Sequence, residues 1–239
     1  MATLSQQNRE RLRDVSVATI STALLKRGLR NTVIQDVRPV NPAAPRMVGE
    51  AYTLRYIPAR EDLDQLKVFE GRSHPQRVAI EQTPPGHVLV IDSRKDPRAA
   101  SAGGILITRL MVRGAAGIVT DGGFRDSPDI AKLNFPVYAT RPSAPTNLIR
   151  HHAVDLNVPI GCGDVAVYPG DILVGDGEAV AVIPAALANE IADEAYDMTQ
   201  FENYVEMQVK GGRSIFGLYP PDEATRAEFT AWRAKQKDK

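Results

Sequence analysis

The spacing of apolar residues predicts helices at both ends of the chain. In the segment 6–27, apolar residues recur at steps of three to five positions: Leu12, Val15, Ile20 and Leu24. Gly28 follows this segment as a helix stop signal. The segment 185–209 has the pattern of a long helix, and the run PPD from Pro220 opens a second one. Because a small sheet need not cover two C-terminal helices, they favour a subunit interface.

Strands alternate with helices through the middle of the chain. The run AYTLRY from Ala51 alternates like a half-buried strand, and GHVLVID from Gly86 is a short apolar run that ends in an acid. Helical spacing over 61–82, broken near Gly71 and Pro75, separates these two strands. The elements expected downstream are a helix at 105–113, a strand at 117–120, a DGG turn and a helix that opens at Ser127-Pro128. This alternation predicts an α/β fold.

The segment 159–184 differs from the rest of the chain in its pattern of short apolar runs and turns. Short apolar runs surround two turns, GCG from Gly161 and PGD from Pro169, and this arrangement favours hairpins over crossovers. Neither a flexible linker nor an internal repeat interrupts the chain. We therefore predict one domain over 1–239, with a core at about 14–184 and C-terminal helices at about 185–239.

Composition narrows the class of partner. The chain has 239 residues, 43% of them apolar, and 29 basic side chains balance 29 acidic ones. Balanced charge argues against binding to duplex nucleic acid or to an anionic membrane. The sequence contains neither a run long enough for a membrane span nor a signal peptide, so the expected location is cytoplasmic. The single cysteine, Cys162, is expected to be a plain buried thiol.

The common catalytic motifs are absent from this sequence. It has no phosphate-binding loop, no dinucleotide fingerprint, no zinc-protease motif and no nucleophile elbow. Four histidines, two of them adjacent at His151 and His152, argue against a multi-histidine metal site. Candidate catalytic residues must therefore be identified from other features of the sequence.

A glycine pair, Gly103-Gly104, precedes the helix predicted at 105–113. Glycines at a helix start let the backbone approach a ligand, and the free amides of the first turn favour a bound carboxylate. The alternative is a tight loop-to-helix turn with nothing bound.

Arg125 and Asp126 follow the DGG turn, where a strand leaves the sheet. Open α/β sheets gather their ligands at such strand exits. Arginine can bind a carboxylate through two parallel hydrogen bonds, and aspartate can hold a hard divalent cation. The alternative is structural: Asp126 or Ser127 caps the next helix, and Arg125 pairs with an acid such as Asp129.

Together these residues resemble a family signature. The pattern consists of Gly104, twenty intervening residues and then Arg125-Asp126-x-x-Asp129, with RGAAGIVTDGG before the arginine. It resembles the signature of the family that joins 4-hydroxy-4-methyl-2-oxoglutarate aldolases with the regulator of ribonuclease activity A. Further matches, including VSVATISTAL, AIEQTPPGHVLVID and VYPGDILVGDGEAVAVIP, extend the resemblance from about residue 14 to about residue 210.

The resemblance implies a fold, an assembly and a set of site residues. The fold would be α/β, a phosphohistidine-domain-like α/β/α sandwich with an N-terminal helix and a C-terminal helical extension. Homotrimers or hexamers would form active sites between subunits. Carried over, Arg125 binds the pyruvyl group, Asp126 anchors Mg²⁺ or Mn²⁺, and Glu202 reaches a neighbouring subunit's site. The amides of the glycine-led loop would hold the same ligand: Gly104, Ile105, Leu106 and Ile107.

The sequence departs from the family pattern at two places. Gly104 stands where the aldolases have an aspartate or glutamate that orders metal-bound water. In the hairpin region the chain reads Gly175-Asp176-Gly177-Glu178, so Asp171 and Asp176 are interpreted as turn formers that bond their own backbone.

The function implied is a class II pyruvate aldolase. Such a lyase cleaves a 4-hydroxy-2-keto acid with a divalent cation as Lewis acid, releases pyruvate, and also decarboxylates oxaloacetate. Two alternatives stay open. One is a non-catalytic regulator that binds a protein partner, for which the loss of the acid at Gly104 would be the mark. The other is an enzyme of the same fold that acts on a sugar-acid-derived substrate.

Overall fold

The helices lie mainly at the two ends of the chain. A computed structural model describes residues 4–237, so the ends of the predicted domain, 1–3 and 238–239, lie outside the described residues. The helices are α1 Gln6–Asp14, α2 Val17–Leu25, α3 Pro75–Gln82, α4 Gly104–Val112, α5 Ser127–Ile130, α6 Ala188–Lys210 and α7 Glu223–Lys237. Three short 3₁₀ turns accompany them: Leu66–Phe69, Asn147–Ile149 and Ala185–Leu187.

The N-terminal helical region is two helices rather than one. Val15 is extended and fully buried, and the Ser16 side chain accepts a hydrogen bond from the Thr19 amide. This N-cap starts a second helix within the helical region that the apolar spacing predicts over 6–27.

Fourteen strands are present among the described residues. They are β1 Val33–Ile34, β2 Arg38–Pro39, β3 Met47–Pro58, β4 His87–Asp92, β5 Ala100–Ala102, β6 Gly117–Thr120, β7 Gly123–Phe124, β8 Val137–Ala139, β9 Arg141–Pro142, β10 His151–Leu156, β11 Ile160–Cys162, β12 Val165–Val167, β13 Ile172–Gly175 and β14 Val180–Ile183. The main sheet runs in the order β1-β14-β13-β3-β4-β6-β8-β2, with β10 also paired to β3. Its centre, β3-β4-β6-β8, is parallel.

A small parallel sheet extends the centre of the main one. Its strands, β5-β7-β9, follow β4, β6 and β8 along the chain after short breaks. The carboxyl ends of neighbouring parallel strands therefore meet at one edge, which is where ligands bind in open α/β folds.

Helices and a hairpin cover opposite faces of the curled sheet. Val48 and Leu54 occupy alternate positions on one face of β3; Val48 packs with α1, α2 and α6, and Leu54 packs with α3 and α4. Met47 on the other face packs against the hairpin β11–β12. Where a sandwich would place a second helical layer, this chain places that hairpin.

Most predicted elements are confirmed. The fold is α/β with N-terminal helices and a C-terminal helical extension, and the segment 159–184 folds into the hairpins β11–β12 and β13–β14. Cys162 is fully buried, and this burial raises the pKa of its thiol well above the usual value. In the part of the chain that the structure describes, none of the helices has the length and apolarity needed to span a membrane.

A candidate active-site cleft at the carboxyl ends of parallel strands

A cleft of about 220 Å³ opens beside the ends of β5 and β7. Segments from five parts of the chain line it. These lining residues are Phe69, Gln76, Arg77, Ala100, Ala102, Gly103, Ile105, Leu106, Arg125, Asp126, Thr146 and Asn147. The structure thus brings Arg125 and Asp126 together with the first turn of α4, although twenty residues separate them in the sequence.

Asp126 is held in an unusual backbone conformation. Its φ of 61° and ψ of 29° lie in the left-handed region, which aspartate tolerates better than most residues and which recurs at functional sites. The Gly104 amide donates a hydrogen bond of 2.9 Å to Asp126 Oδ2. The second oxygen, Oδ1, has no hydrogen-bond partner within residues 4–237. One oxygen is therefore fixed by the backbone and the other is available to a ligand.

Among the described residues, Arg125 has no carboxylate within hydrogen-bond distance of its guanidinium. Its amide continues the ladder between β7 and β5 by donating to the Ala102 carbonyl at 3.1 Å, which fixes the start of its side chain. Its Nε lies 3.6 Å from Asp126 Oδ2, and 47% of the side chain is exposed. Asp129 pairs with Lys132 instead. The guanidinium is thus available to bind an anion.

The structural alternative for Asp126 finds little support. Asp126 occupies the N-cap position of α5, but its side chain makes no capping hydrogen bond there. The Ser127 hydroxyl instead donates to the Phe124 carbonyl. The Asp126 carboxylate therefore does not serve the short helix that follows it.

The glycine pair allows the close approach that the site requires. A Cβ on Gly103 would lie 2.8 Å from Arg125 Cγ and 2.9 Å from Asp126 Oδ2, which is too close for either contact. A Cβ on Gly104 would lie 3.2 Å from Asp126 Cβ, but the backbone of Gly104 is outside the left-handed region. Gly103 is thus a steric requirement of this site, and Gly104 is only a tight fit.

The predicted glycine-led loop is the first turn of α4. The amides of Ile105 and Leu106 have no acceptor inside the helix, and the helix dipole makes this end favourable for a carboxylate. The Ile107 amide donates to the Gly103 carbonyl at 3.1 Å, and its side chain is fully buried. Ile107 therefore belongs to the core, and two first-turn amides remain for a ligand.

A buried acid supports the turn that carries Arg125. Asp121 accepts hydrogen bonds from the amides of Ser93, Lys95 and Gly163, at 2.7, 3.1 and 3.2 Å. Burial raises the pKa of Asp121 to about 6. These bonds tie the turn after β6 to the loop after β4 and to the hairpin β11–β12. In the sequence this acid is visible only as the first residue of the DGG turn.

Two polar residues of the cleft carry no sequence signal. Arg77 comes from α3, and Asn147 comes from the 3₁₀ turn after β9. Each is a single polar residue with no characteristic spacing to a partner. Only the packing of α3 and of this turn against β5 brings them to the cleft.

Glu202 does not enter the cleft of its own chain. It lines a second opening between α2, α6 and α7, of about 980 Å³, which we call the C-terminal groove. The residues of this groove include Lys26, Glu194, Phe201, Glu202, Tyr219, Arg226 and Phe229. Thr19 donates a hydrogen bond of 2.8 Å to Glu202 Oε2. A role for Glu202 at a neighbouring subunit's site stays a prediction.

The two hairpin acids are turn formers, as predicted. Asp171 accepts from the amides of Tyr168 and Ala185, and Asp176 accepts from those of Glu178 and Ala179. Asp176 also accepts from the Val17 amide at 2.8 Å. Each carboxylate is thus engaged with backbone donors.

The donor set of the cleft fits a cation that keeps most of its water. Asp126 is the acidic residue among those that line the cleft. Across residues 4–237, no cluster of three or more histidine, cysteine, aspartate or glutamate side chains could enclose a metal ion. Mg²⁺ commonly binds through one or two carboxylates with water completing its shell, whereas a structural zinc site needs four protein ligands.

A family model and several relatives match this chain. A family model described as RraA-like, Aldolase/RraA, matches residues 17–182, more than half of the chain. A 4-hydroxy-4-methyl-2-oxoglutarate aldolase of Thermus thermophilus is 28% identical over 155 residues, which cover 65% of this chain and 92% of that protein.

Two further relatives cover more of the chain. A protein of Halalkalibacterium halodurans with the provisional name 4-hydroxy-4-methyl-2-oxoglutarate aldolase is 32% identical over 183 residues, 77% of this chain and 79% of its own length. The crystal structure of Streptomyces coelicolor RraAS2, described as an unusual member of the RNase ES inhibitor RraA family, superposes with a TM-score of 0.76 at 27% identity. It covers 87% of this chain and 99% of that one.

Proposed function

The chain belongs to the RraA-like family, and from that premise we propose that it is a divalent-metal-dependent lyase of the class II aldolase type. It cleaves a 4-hydroxy-2-keto acid by a retro-aldol reaction and releases pyruvate, with oxaloacetate decarboxylation as a second activity. The observation that carries this proposal is the convergence of Arg125, Asp126 and the first turn of α4 on one cleft.

The cleft supplies contacts for a pyruvyl group. The Arg125 guanidinium donates to the carboxylate or keto oxygen of the substrate, and its planar fork fixes the orientation of that group. The amides of Ile105 and Leu106 offer further donors at the positive end of the α4 dipole. An anionic keto acid is therefore bound with its reactive end toward Asp126.

Carbon–carbon cleavage places a negative charge where these donors lie. When the bond between C3 and C4 breaks, its electron pair stays on the pyruvate fragment as an enolate, and the C4 hydroxyl passes its proton to water as the new carbonyl forms. C3 of the enolate then takes up a proton from water to give pyruvate. Fixed donors such as Arg125 stabilise this developing charge. Asp126 would hold a Mg²⁺ or Mn²⁺ ion through Oδ1, and the ion would supply Lewis acidity toward the keto group. This chemistry needs no Schiff-base lysine.

One observation favours a second candidate function. Gly104 stands where the aldolases have an acid, and Asp126 is the acidic residue among those lining the cleft. A chain that had lost the water-ordering acid could keep the fold and bind a protein partner, in the way that RraA-type inhibitors are described. This candidate predicts a folded oligomer without lyase activity.

An assay of pyruvate release separates the two candidates. The substrates are a small panel of 4-hydroxy-2-keto acids and oxaloacetate, each tested as prepared, after EDTA, and after return of Mg²⁺ or Mn²⁺. The proposal expects EDTA to abolish turnover and either ion to restore it, since a cation held by one carboxylate exchanges readily. Full activity after exhaustive chelation would overturn the metal dependence. Inactivity on the whole panel would overturn the lyase and favour the regulator.

A further inference from the structure

One glutamine in the wall of the cleft is fixed by a hydrogen bond to the adjacent strand. Gln76 is 4% exposed and lines the cleft from the first turn of α3. Its Nε2 donates a hydrogen bond of 2.7 Å to the Ser101 carbonyl in β5. Because a carbonyl oxygen only accepts hydrogen bonds, the nitrogen of this amide must face Ser101. The orientation of the amide is therefore set, and Oε1 is the end that remains for another contact.

The strand that holds Gln76 also holds Arg125. The Ala102 carbonyl, one residue after Ser101, accepts a hydrogen bond of 3.1 Å from the Arg125 amide. Successive carbonyls of a strand point to opposite sides, so Gln76 and Arg125 flank β5. Both line the same cleft of about 220 Å³. A small acid bound by Arg125 therefore lies beside Gln76.

Gln76 Oε1 is an unused acceptor in a wall that consists largely of donors. Within residues 4–237 it has no hydrogen-bond partner, and the atom is open to solvent. The side chains of Thr146 and Asn147, in contrast, bond to each other at 3.2 Å. A neutral carbonyl oxygen repels a carboxylate and accepts a hydrogen bond from a hydroxyl. This acceptor therefore fits a hydroxyl group on the bound acid.

We propose that Gln76 Oε1 accepts a hydrogen bond from the C4 hydroxyl of the substrate and so selects hydroxylated acids. The inference rests on the proposed function and assigns a specificity-determining residue to the same site. An amide oxygen is too weak a base to remove the proton, so Gln76 binds the hydroxyl and takes no part in the proton transfer. A site that bonds a substrate hydroxyl discriminates against the analogue that lacks it, since its acceptor is then left without a partner.

Binding of two non-cleavable acids tests this contact without relying on turnover. The probes are 2,4-dihydroxybutanoate and 2-hydroxybutanoate of the same configuration at C2, which share a carbon chain and differ in the C4 hydroxyl. Neither has the 2-keto group that retro-aldol cleavage requires. In calorimetric titrations with Mg²⁺ present, we expect wild-type protein to bind the dihydroxy acid about fivefold more tightly, the scale of one neutral hydrogen bond.

Three variants separate loss of the acceptor from loss of the bond to β5. Gln76→Leu and Gln76→Met should both bring the two affinities to about the same value and leave that for 2-hydroxybutanoate within about twofold of wild type. Tyr56→Phe is the matched control. The Tyr56 hydroxyl donates to the same Ser101 carbonyl at 2.8 Å, but Tyr56 is fully buried and lies outside the cleft lining. This variant should keep the wild-type preference.

Each other result contradicts the contact or separates it from the proposed reaction. Equal affinity of the wild type for the two probes, binding of neither, or a preference that survives both Gln76 variants would overturn the contact. An equal loss of preference in Tyr56→Phe would also overturn it, because Gln76 would then act only through the position of β5. If the keto acid panel yields pyruvate and the wild type shows no preference, the contact fails and the lyase stands. If the preference depends on Gln76 and the panel yields no pyruvate, the contact stands and the reaction fails.

Discussion

The cleft and the C-terminal groove hold their charged residues in different ways. In the groove, Glu194 pairs with Lys26 and Arg27, and Glu202 accepts from Thr19. In the cleft, Asp126 is bonded by a backbone amide through one oxygen only, and the Arg125 guanidinium is 3.6 Å from it at the closest. Glu194 and Glu202 thus join α6 to α2 and its C-terminal end, whereas the cleft keeps donors and one carboxylate oxygen unused.

This difference indicates which opening is arranged for a ligand. Backbone and steric contacts can position a charged group without neutralising its charge. Such a group gives up few existing interactions when it binds an external ion. The groove is larger, at about 980 Å³ against about 220 Å³, and it also contains an arginine, Arg226, with no carboxylate within 4.0 Å among the described residues. What distinguishes the cleft is that Arg125 and the Asp126 carboxylate lie beside the free amides of the first turn of α4.

The largest expected effect of those compared here is at Arg125. Arg125→Lys keeps the charge and loses the planar fork, so kcat/KM for pyruvate release should fall by about 100-fold, the scale of one lost contact to developing charge. Steady-state kinetics measure this, with Arg109→Lys, an arginine paired with Glu81, as the matched control. If the Arg125→Lys enzyme has near wild-type kcat/KM, Arg125 has only a structural role. The cleft would then not differ from the groove in the use of its charged residues.

A smaller loss is expected from the glycine that shapes the cleft. Gly103→Ala places a methyl group within 2.9 Å of the Arg125 and Asp126 side chains, so kcat/KM should fall by about tenfold as both side chains shift. Gly161→Ala is the matched control, because no atom lies within 4 Å of its added Cβ. If the two variants behave alike, close approach at Gly103 does not determine the geometry of the site.

Glu202 tests whether the groove contributes to catalysis at all. Glu202→Gln keeps an acceptor for the Thr19 hydroxyl and removes the negative charge, so any loss of activity reports the charge and not the contact inside the chain. We expect a loss of about threefold to tenfold with an unchanged oligomer, measured by kinetics and light scattering. Glu206→Gln, on the same helix and paired with Lys210, should have wild-type activity. A Glu202→Gln enzyme with wild-type activity would confine the chemistry to the cleft.

A further effect, on stability and not on activity, concerns the buried acid beneath the cleft. Burial raises the pKa of Asp121 to about 6 from an ordinary 3.8. Between these values the native state keeps a proton that the unfolded state has released, so the free energy of unfolding falls as pH rises through that window. The difference between wild type and Asp121→Asn should shift by on the order of 2 kcal/mol from about pH 4 to about pH 7. Urea unfolding at both pH values measures it, and a constant difference would contradict the assignment.

The sequence predicts the long elements of this fold better than its site. The strands β3 and β4 and the helix α6 are long enough to show their period, and the two hairpins carry turn signals. The break between α1 and α2 depends on the Ser16 cap, which apolar spacing does not register. The strands β5, β7 and β9 have two or three residues each, too few to show any alternation.

The site itself is predicted only where its residues lie close together in the sequence or share a known spacing. Gly104, Arg125 and Asp126 could be proposed from a motif. Arg77 and Asn147 could not, because tertiary packing alone brings α3 and the turn after β9 to the same cleft. The family resemblance assigns Ile107 to the ligand together with its neighbours, but the Ile107 amide is bonded to the Gly103 carbonyl inside the first turn of α4.

Binding of Mn²⁺ to the free protein tests the central claim most directly. Water-proton relaxation titrations follow the ion without any substrate. We expect one weak, reversible site per chain, lost in Asp126→Asn and retained in Asp129→Asn, whose aspartate pairs with Lys132 outside the cleft. Equal Mn²⁺ affinity in wild type and Asp126→Asn would contradict the claim that Asp126 holds the cation of this cleft.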